Sequence, residues 1–429
     1  MTKQFRPLWF DPQYRARSHE LSEAIKNFAS HLSDFELSKG LRQRARTDEA
    51  RKNFLTSVEA LTCNLMLLTL IDEDAALAVP RAHASMWGRG RYANLVYGQH
   101  FLDAIDAMAK LGVLGEISKG YRLSAKANAP TLIAPTERLA AYVPAKNFDP
   151  NALRRLDDPE VLILRSGKDD DDQSVPIDYR ETRERKLWRG QVTRINQWLR
   201  DADIRVVGGE ERIRLGKDGN LVLLHRRSLR RIFNNGSWQN GGRLAGGFWM
   251  SMARAERFER IRLDGEVIAD ADYQQLFPRL AYARAQAEQP EGDIYDVAGD
   301  KTGRDAWKVL LNAMLFADGQ LGNWPKGARD HFPEGTKLRD AIEMLRRKHA
   351  PIADLFGTGL GYQLMKTESD MLIAVVSHLL KQRITALPLH DAVLVARSHA
   401  ETARNAMQDE FTHRTGSRCA IVSVDFGTT

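Results

Sequence analysis

One stretch constrains this chain more than any other: Val267-Ile268-Ala269-Asp270-Ala271-Asp272-Tyr273-Gln274-Gln275-Leu276-Phe277-Pro278-Arg279. Val267, Ile268 and Ala269 read as a short buried strand, and two carboxylates follow at once. Leu276, Leu280, Tyr282 and Ala283 then recur at helical spacing, so a helix is expected to begin near Gln274. Pro278 is tolerated there, because the N–H it lacks has no partner in a first turn. A carboxylate at the end of a core strand, beside turning backbone, suits a divalent metal. Hard cations such as Mg²⁺ take oxygen ligands, often one or two carboxylates together with substrate phosphates. A lone Asp does not complete such a site, so a second acidic strand end is expected elsewhere. Alternation along the strand puts Asp270 on the same face as Asp272, where it is placed to assist.

The second acidic end is Ala386-Leu387-Pro388-Leu389-His390-Asp391-Ala392-Val393-Leu394-Val395. Apolar residues flank a His-Asp pair, which reads as two short strands joined by a tight turn with Asp391 at its tip. Between the two acidic sites, Arg304, Lys308, Asn312 and Phe316 follow at intervals of four and project from one helical face. Two carboxylates and a cationic helix face together suggest phosphoryl transfer on a nucleoside triphosphate. In such chemistry metals bridge attacking and leaving oxygens while cations neutralise the triphosphate.

These elements, in this order over residues 230 to 429, resemble a known family. Asp272-Tyr273-x-Gln275-x-x-x-Arg279 resembles the first catalytic motif of the family A DNA polymerases. Arg304-x-x-x-Lys308 with Phe316 is similar to the fingers helix of that family and of the related single-subunit RNA polymerases. His390-Asp391 resembles their third motif, and Gly242-Arg243-Leu244 a Gly-Arg-Leu that contacts DNA near the primer end. Gly292-Asp293-Ile294-Tyr295 resembles an Asp-Ile-His element. Gln363 with Glu368-Ser369-Asp370 resembles the polar helix before the third motif.

The resemblance implies an α+β right hand: an antiparallel palm sheet with helical fingers and thumb. It implies Asp272 and Asp391 as metal ligands and, with Lys308, as the catalytic set. Lys308 would contact the triphosphate and protonate the pyrophosphate. Arg304, Asn312, Phe277 and the stacking ring Phe316 would complete nucleotide binding. Arg243, Gln363, His390 and Arg279 would touch the primer–template. The implied cofactor is Mg²⁺, two ions, with Mn²⁺ able to substitute. The implied partners are a DNA primer–template and nucleoside triphosphates.

Four positions depart from the pattern. Phe277 stands where the DNA polymerases carry Glu and the RNA polymerases a small residue. That position gates the sugar 2′ position, so a bulky ring leans toward deoxynucleotides. Asn312 replaces a ring or Met, Phe316 is followed by Gly only at Gly319, and Ala392 replaces Glu or Ser. The leading expectation is a DNA polymerase that extends a primer 3′ end, without a proofreading exonuclease. The N-terminal half shows no obvious Asp-x-Glu strand motif. The alternatives are an RNA polymerase or primase of the same superfamily, and a non-catalytic winged-helix DNA-binding protein.

With 429 residues, two or three domains are expected. The net charge of +7 favours a polyanionic partner. Two cysteines, Cys63 and Cys419, exclude a disulfide framework or a cysteine zinc site and suit a reducing cytoplasm. No apolar run follows the charged start as a signal peptide would. The longest apolar stretch, Leu65 to Val79, is broken by Asp72, Glu73 and Asp74, too short for a membrane span. A monomer is expected.

Upstream, residues 1–45 read as a helical arm. Residues 46–145 read as a mostly helical, winged helix-turn-helix-like domain. Its amphipathic helix runs from Tyr97 to Leu111, its hairpin wing from Gly112 to Leu123 around a Lys-Gly turn, and Arg89, Arg91, Lys119, Arg122 and Lys126 are candidate phosphate contacts. Residues 146–232 read as a connector and thumb-like region with a basic helix over Asp178 to Leu199 and a charged loop over Lys168 to Gln173. The basic run from His225 to Ile232, followed by Phe233 and Trp238, suits either a nucleic-acid path or a charged strand and turn. Residues 233–429 hold the palm and fingers. There Leu338 to Lys348 and Ser369 to Arg383 are expected to back the sheet, and Ile421 to Phe426 to complete it.

Overall fold

Residues 6–70, 75–81, 90–124, 127–145, 148–169, 174–208, 214–215, 221–299, 301–418 and 420–427 are described by the computed structural model. Arg89, Lys126 and residues 170–173 of the charged loop lie outside them. The chain is a mixture of helices and largely antiparallel sheets.

Strands β1 (Arg6–Trp9), β2 (Ala75–Val79), β3 (Leu114–Ser118) and β4 (Thr131–Pro135) form a sheet in the order β1-β2-β4-β3, with β1 parallel to β2 and the other pairs antiparallel. Helices α1 (His19–Ser38), α2 (Asp48–Leu68) and α3 (Gln99–Leu111) pack with it. Ser18 and Thr47 cap the first two, each hydroxyl accepting a backbone N–H of the first turn. One hydrophobic core takes in residues from Leu8 to Leu153 together with Leu223, among them Leu21, Ile25, Phe28 and Leu32 of α1. The first 45 residues therefore share a core with the next hundred. The pairing after α3 differs from the expected wing. Leu114–Ser118 pairs with Thr131–Pro135, while Tyr121–Ser124 pairs with Ala127–Ala129. Joining β4 buries Thr131 and Ile133 beside β2, an apolar gain that a short hairpin closed at the Lys-Gly turn does not offer.

Next come β5 (Leu162–Leu164), α4 (Arg183–Asp201), β6 (Ile204–Val206), β7 (Arg230–Phe233) and β8 (Gly241–Ala245). β7 lies parallel to β5 and antiparallel to β8. Helix α4 places Trp188 against Phe233, with ring centroids 5.3 Å apart. It sends Val192, Ile195 and Leu199 into the core shared with the C-terminal sheet. The basic run from His225 to Ile232, which leads into β7, is largely engaged within the protein. Arg227 donates to the Ala202 and Ile204 carbonyls, Arg226 pairs with Asp11, and the buried Arg231 pairs with Asp370.

The C-terminal region contains α5 (Arg254–Arg260), β9 (Ile261–Leu263), β10 (Glu266–Gln274), α6 (Leu276–Arg284), α7 (Arg304–Phe316), α8 (Leu338–Lys348), α9 (Leu360–Lys381), β11 (Ala386–Leu389), β12 (Ala392–Ala396), α10 (Ala400–Thr415) and β13 (Ile421–Asp425). Its antiparallel sheet runs β6-β9-β10-β12-β11, with β13 also paired to β10. β9 and β10 are joined through Asp264-Gly265, both at positive φ, the backbone that a two-residue hairpin turn requires. Pro388 sits on the edge strand β11, where its missing N–H is tolerated, and its carbonyl accepts the Trp249 indole N–H at 2.8 Å. Helices α9 and α10 pack on this sheet. Helix α8, expected to back the sheet, instead packs Ala341 and Leu345 into a separate core with Trp307, Leu310 and Phe332.

Candidate active site

β10 is the central strand of the C-terminal sheet, and Asp272 lies near its end. Asp272 faces Ala392 on one side and Ser423 on the other. The two-residue turn His390-Asp391 joins β11 to β12, with His390 at φ 58. The Tyr273 N–H donates to the Asp391 carbonyl at 3.2 Å, which holds that turn against β10. Past Asp272 the chain reverses through Gln275, also at φ 58, into α6, two residues later than the sequence suggests. A non-glycine residue in the left-handed region thus directly precedes Asp391 and another follows Asp272 by three residues, a conformation that costs free energy and persists only where surrounding structure enforces it.

Helix α7 runs over this end of the sheet. Ala306, Trp307, Leu310, Leu311, Met314 and Leu315 bury one side of it, which turns Arg304, Lys308 and Asn312 toward the carboxylates. A cleft of about 240 Å³ is lined by Arg243, Asp272, Tyr273, Gln274, Gln275, Leu276, Phe277, Tyr295, Arg304, Lys308, Asn312 and Asp391. Seven residues expected at the site from sequence therefore meet in one space: Asp272, Asp391, Lys308, Arg304, Asn312, Phe277 and Arg243.

The remaining four are placed differently. Phe316 is half-buried at the end of α7, edge-on to Phe277 at 5.5 Å and to Tyr362 at 5.3 Å. Gln363 is exposed on the first turns of α9, and His390 is exposed on its turn. Arg279, expected against a primer–template, is only 3% exposed. Its guanidinium donates to Gln275 Oε1 at 3.0 Å and to the Gly292 carbonyl at 3.3 Å, which directs it into the fold. Helix α6 is buried at consecutive positions, Pro278 to Tyr282, so Arg279 has no solvent-facing side to occupy.

The electrostatics are those of a site short of positive charge. Burial first, then the neighbouring charges of Asp391 and Asp270, push the Asp272 carboxyl up to about 7, against the opposing pull of Lys308 and Arg254. Asp270 is buried and raised for the same leading reason, and its Oδ1 has no hydrogen-bond partner among the described residues. Arg304 is held by Asp293, and its guanidinium lies 5.3 Å from the Tyr295 ring centre; Lys308 Nζ lies 6.0 Å from the same ring. Arg243 makes a two-pronged pair with the buried Glu368, Nε to Oε1 and Nη2 to Oε2 both at 2.7 Å. Burial raises the Glu368 carboxyl to about 7 although Arg243 opposes it.

The strand that offers Arg243 is itself fixed from behind. The Gly242 carbonyl accepts from Arg231 Nε at 2.9 Å and from the Ser369 hydroxyl. Gly242 has φ +80, and a Cβ there would meet the Phe233 ring at 3.0 Å, so only glycine suits this close approach.

Among the described residues no group of three or more His, Cys, Asp or Glu side chains is placed to hold a metal ion. The donor set is two aspartates, which fits an ion such as Mg²⁺ that keeps waters and takes substrate phosphates as further ligands. The raised Asp272 carboxyl marks a place where added positive charge is favourable.

Sequence reasoning missed Gln274, Ser423 and Arg254. Gln274 Nε2 donates to Asp272 Oδ2 and to Ser423 Oγ, each at 2.9 Å, orienting the carboxylate. Its position two residues beyond Asp272, on the same strand face, is a signal that identifies it. Arg254, one arginine in a segment rich in them, carries no such mark.

No family model matches the chain, and no curated protein matches it. Among solved structures it is similar to the POL domain of Pol1 from M. smegmatis in complex with DNA primer-template and dNTP. The identity is 14% and the TM-score 0.27, over 56% of this chain and 52% of that one. The chain thus spans about half the length of that structure. Among the described residues no helix is long and apolar enough to cross a membrane.

Proposed function

We propose that this chain is a template-directed nucleotidyltransferase, a DNA polymerase that extends a primer 3′ end with deoxynucleoside triphosphates. The observation that carries the reading is the single cleft in which Asp272, near the end of β10, and Asp391, on the β11–β12 turn, face Lys308 and Arg304 from one helix. Carboxylates opposite cations is the arrangement that phosphoryl transfer between a hydroxyl and a triphosphate needs. Mg²⁺ held by Asp272 and Asp391 would lower the pKa of the primer hydroxyl and offset charge on the phosphates. Lys308 and Arg304 bind the triphosphate, and Lys308 is placed to give a proton to the departing pyrophosphate. Phe277 and Phe316 form an aromatic wall for base and sugar, with Asn312 beside it. Arg243, Gln363 and His390 lie along the path of a primer–template. Arg279 supports that path from inside by fixing Gln275.

Primer extension on a defined DNA template with Mg²⁺, offering dNTPs and NTPs separately, tests the reading, with Asp391→Ala as control. Templated products from dNTPs that vanish in the control are expected. Products from NTPs alone would make it an RNA polymerase or primase. No product from folded protein that binds DNA would leave a non-catalytic DNA-binding protein.

A further inference from the structure

The strand face that carries Asp272 carries two more carboxylates. Asp270 and Asp425 sit directly opposite each other in the β10–β13 ladder, one same-face rung away from the Asp272–Ser423 pair. Like charges directly across a ladder repel. Asp270 is 3% exposed, so water does little to relieve it. Arg254, the first residue of α5, reaches over this pair. Its Nη1 lies 3.4 Å from Asp270 Oδ2 and its Nη2 is bonded to Asp425. The Arg254 side chain remains 55% exposed, so its charge stands at the mouth of the acidic face. Arg257, one turn on, is buried behind the pair: its charge also acts on Asp270, while its Nη1 donates to the Met252 carbonyl at 2.8 Å, so it does not stand at the mouth of the face.

We propose that Arg254 is a tethered cation that closes the Asp270–Asp425 pair to divalent ions and so confines metal binding to Asp272 and Asp391. Without it, three carboxylates on one sheet face, with Asp391 beside them, form a broad anionic surface that attracts divalent ions at more than one place. A guanidinium fixed by two carboxylates supplies positive charge that does not exchange, and its bulk excludes a hydrated ion from the pair. Arg254 is a positioning residue in this account: it decides where the metal sits and touches no substrate. The second half of the proposal rests on the reading of Asp272 and Asp391 as metal ligands.

The test is Mn²⁺ binding to the full-length, metal-depleted protein without nucleotide, read as loss of the free-ion electron paramagnetic resonance signal. Arg254→Gln is expected to gain a further Mn²⁺ equivalent, or to bind roughly tenfold more tightly, since a unit charge a few ångströms from the ion is removed. Arg254→Lys keeps the charge and should match the parent. Arg254→Gln combined with Asp270→Asn should lose the gain. A folded Arg254→Gln protein with parental stoichiometry and affinity would overturn the proposal. If Arg254→Gln folds only when Mn²⁺ is added, that dependence is the gain in another form. If it stays unfolded at Mn²⁺ concentrations where Arg254→Lys is folded, the proposal fails. Asp272→Asn with Asp391→Asn separates the two readings. Retained parental Mn²⁺ binding in that double variant would refute the metal-ligand assignment, while the Arg254→Gln gain still decides the role of Arg254.

Discussion

Asp272→Asn should make the metal-free protein more stable at alkaline pH. Burial and the charges of Asp391 and Asp270 raise the Asp272 carboxyl to about 7 in the folded protein, against about 3.9 in an unfolded chain. A raised carboxyl stabilises the fold while it is protonated. That contribution is complete below the unfolded value and is lost as pH climbs toward 7. Three units at about 1.36 kcal/mol each set a ceiling of roughly 4 kcal/mol. Asp272 opens onto the cleft and Asp391 shares the repulsion, so about 2 kcal/mol is expected at pH 8. Asn is nearly the same size, and its amide oxygen still accepts from Gln274. Urea unfolding in the presence of EDTA measures the difference. The variant should match the parent near pH 4, gain through pH 5 to 7, and level off above that. Saturating Mg²⁺ should reverse the order, because only the parent binds the ion and is stabilised by it. A variant no more stable than the parent at pH 8 in EDTA, or a difference equal at pH 4 and pH 8, would refute the charge argument.

Other expectations concern substrate and packing. Lys308→Ala should lower the chemical rate by about two to three orders of magnitude in single-turnover extension, the usual loss on removing one group that stabilises developing charge; an unchanged rate would remove Lys308 from the chemistry. Phe277→Ala should raise the NTP-to-dNTP incorporation ratio if the ring guards the sugar, and an unchanged ratio would end that assignment. Gly361→Ala places a Cβ 2.5 Å from the Phe316 ring, so it should push Phe316 off Phe277 and raise KM for the nucleotide more than it lowers kcat. His349 is fully buried, with the Tyr282 hydroxyl 2.9 Å from its Nδ1, and burial lowers its pKa to about 4. Its contribution is present above the unfolded value near 6.5 and fades as pH falls toward 4. His349→Gln should therefore lose about 2 kcal/mol less stability than the parent between pH 7 and 4.5, read by urea midpoints.

The sequence by itself determined those features that one element can express. Apolar runs ending in Asp272 and Asp391 marked two strand ends. The fourfold interval of Arg304, Lys308, Asn312 and Phe316 marked a helix face, and the stretch Ile421 to Phe426 marked a strand. Each is a periodicity within a few turns or rungs, set by 3.6 residues per helical turn or two per strand. The tertiary structure decided which of these surfaces meet. It set Asp391 beside β10 through the Tyr273 N–H, joined Arg243 to Glu368, and turned Arg279 inward although its motif had suggested an outward contact. It paired β3 with β4 in place of the nearer hairpin, and packed α8 on α7 in place of the sheet. Arg254 shows the limit most plainly: its role exists only because β13 returns from the far end of the chain to place Asp425 opposite Asp270. Such pairings depend on which distant surfaces bury the most apolar area and leave the fewest charges unmatched, and no local pattern encodes that comparison.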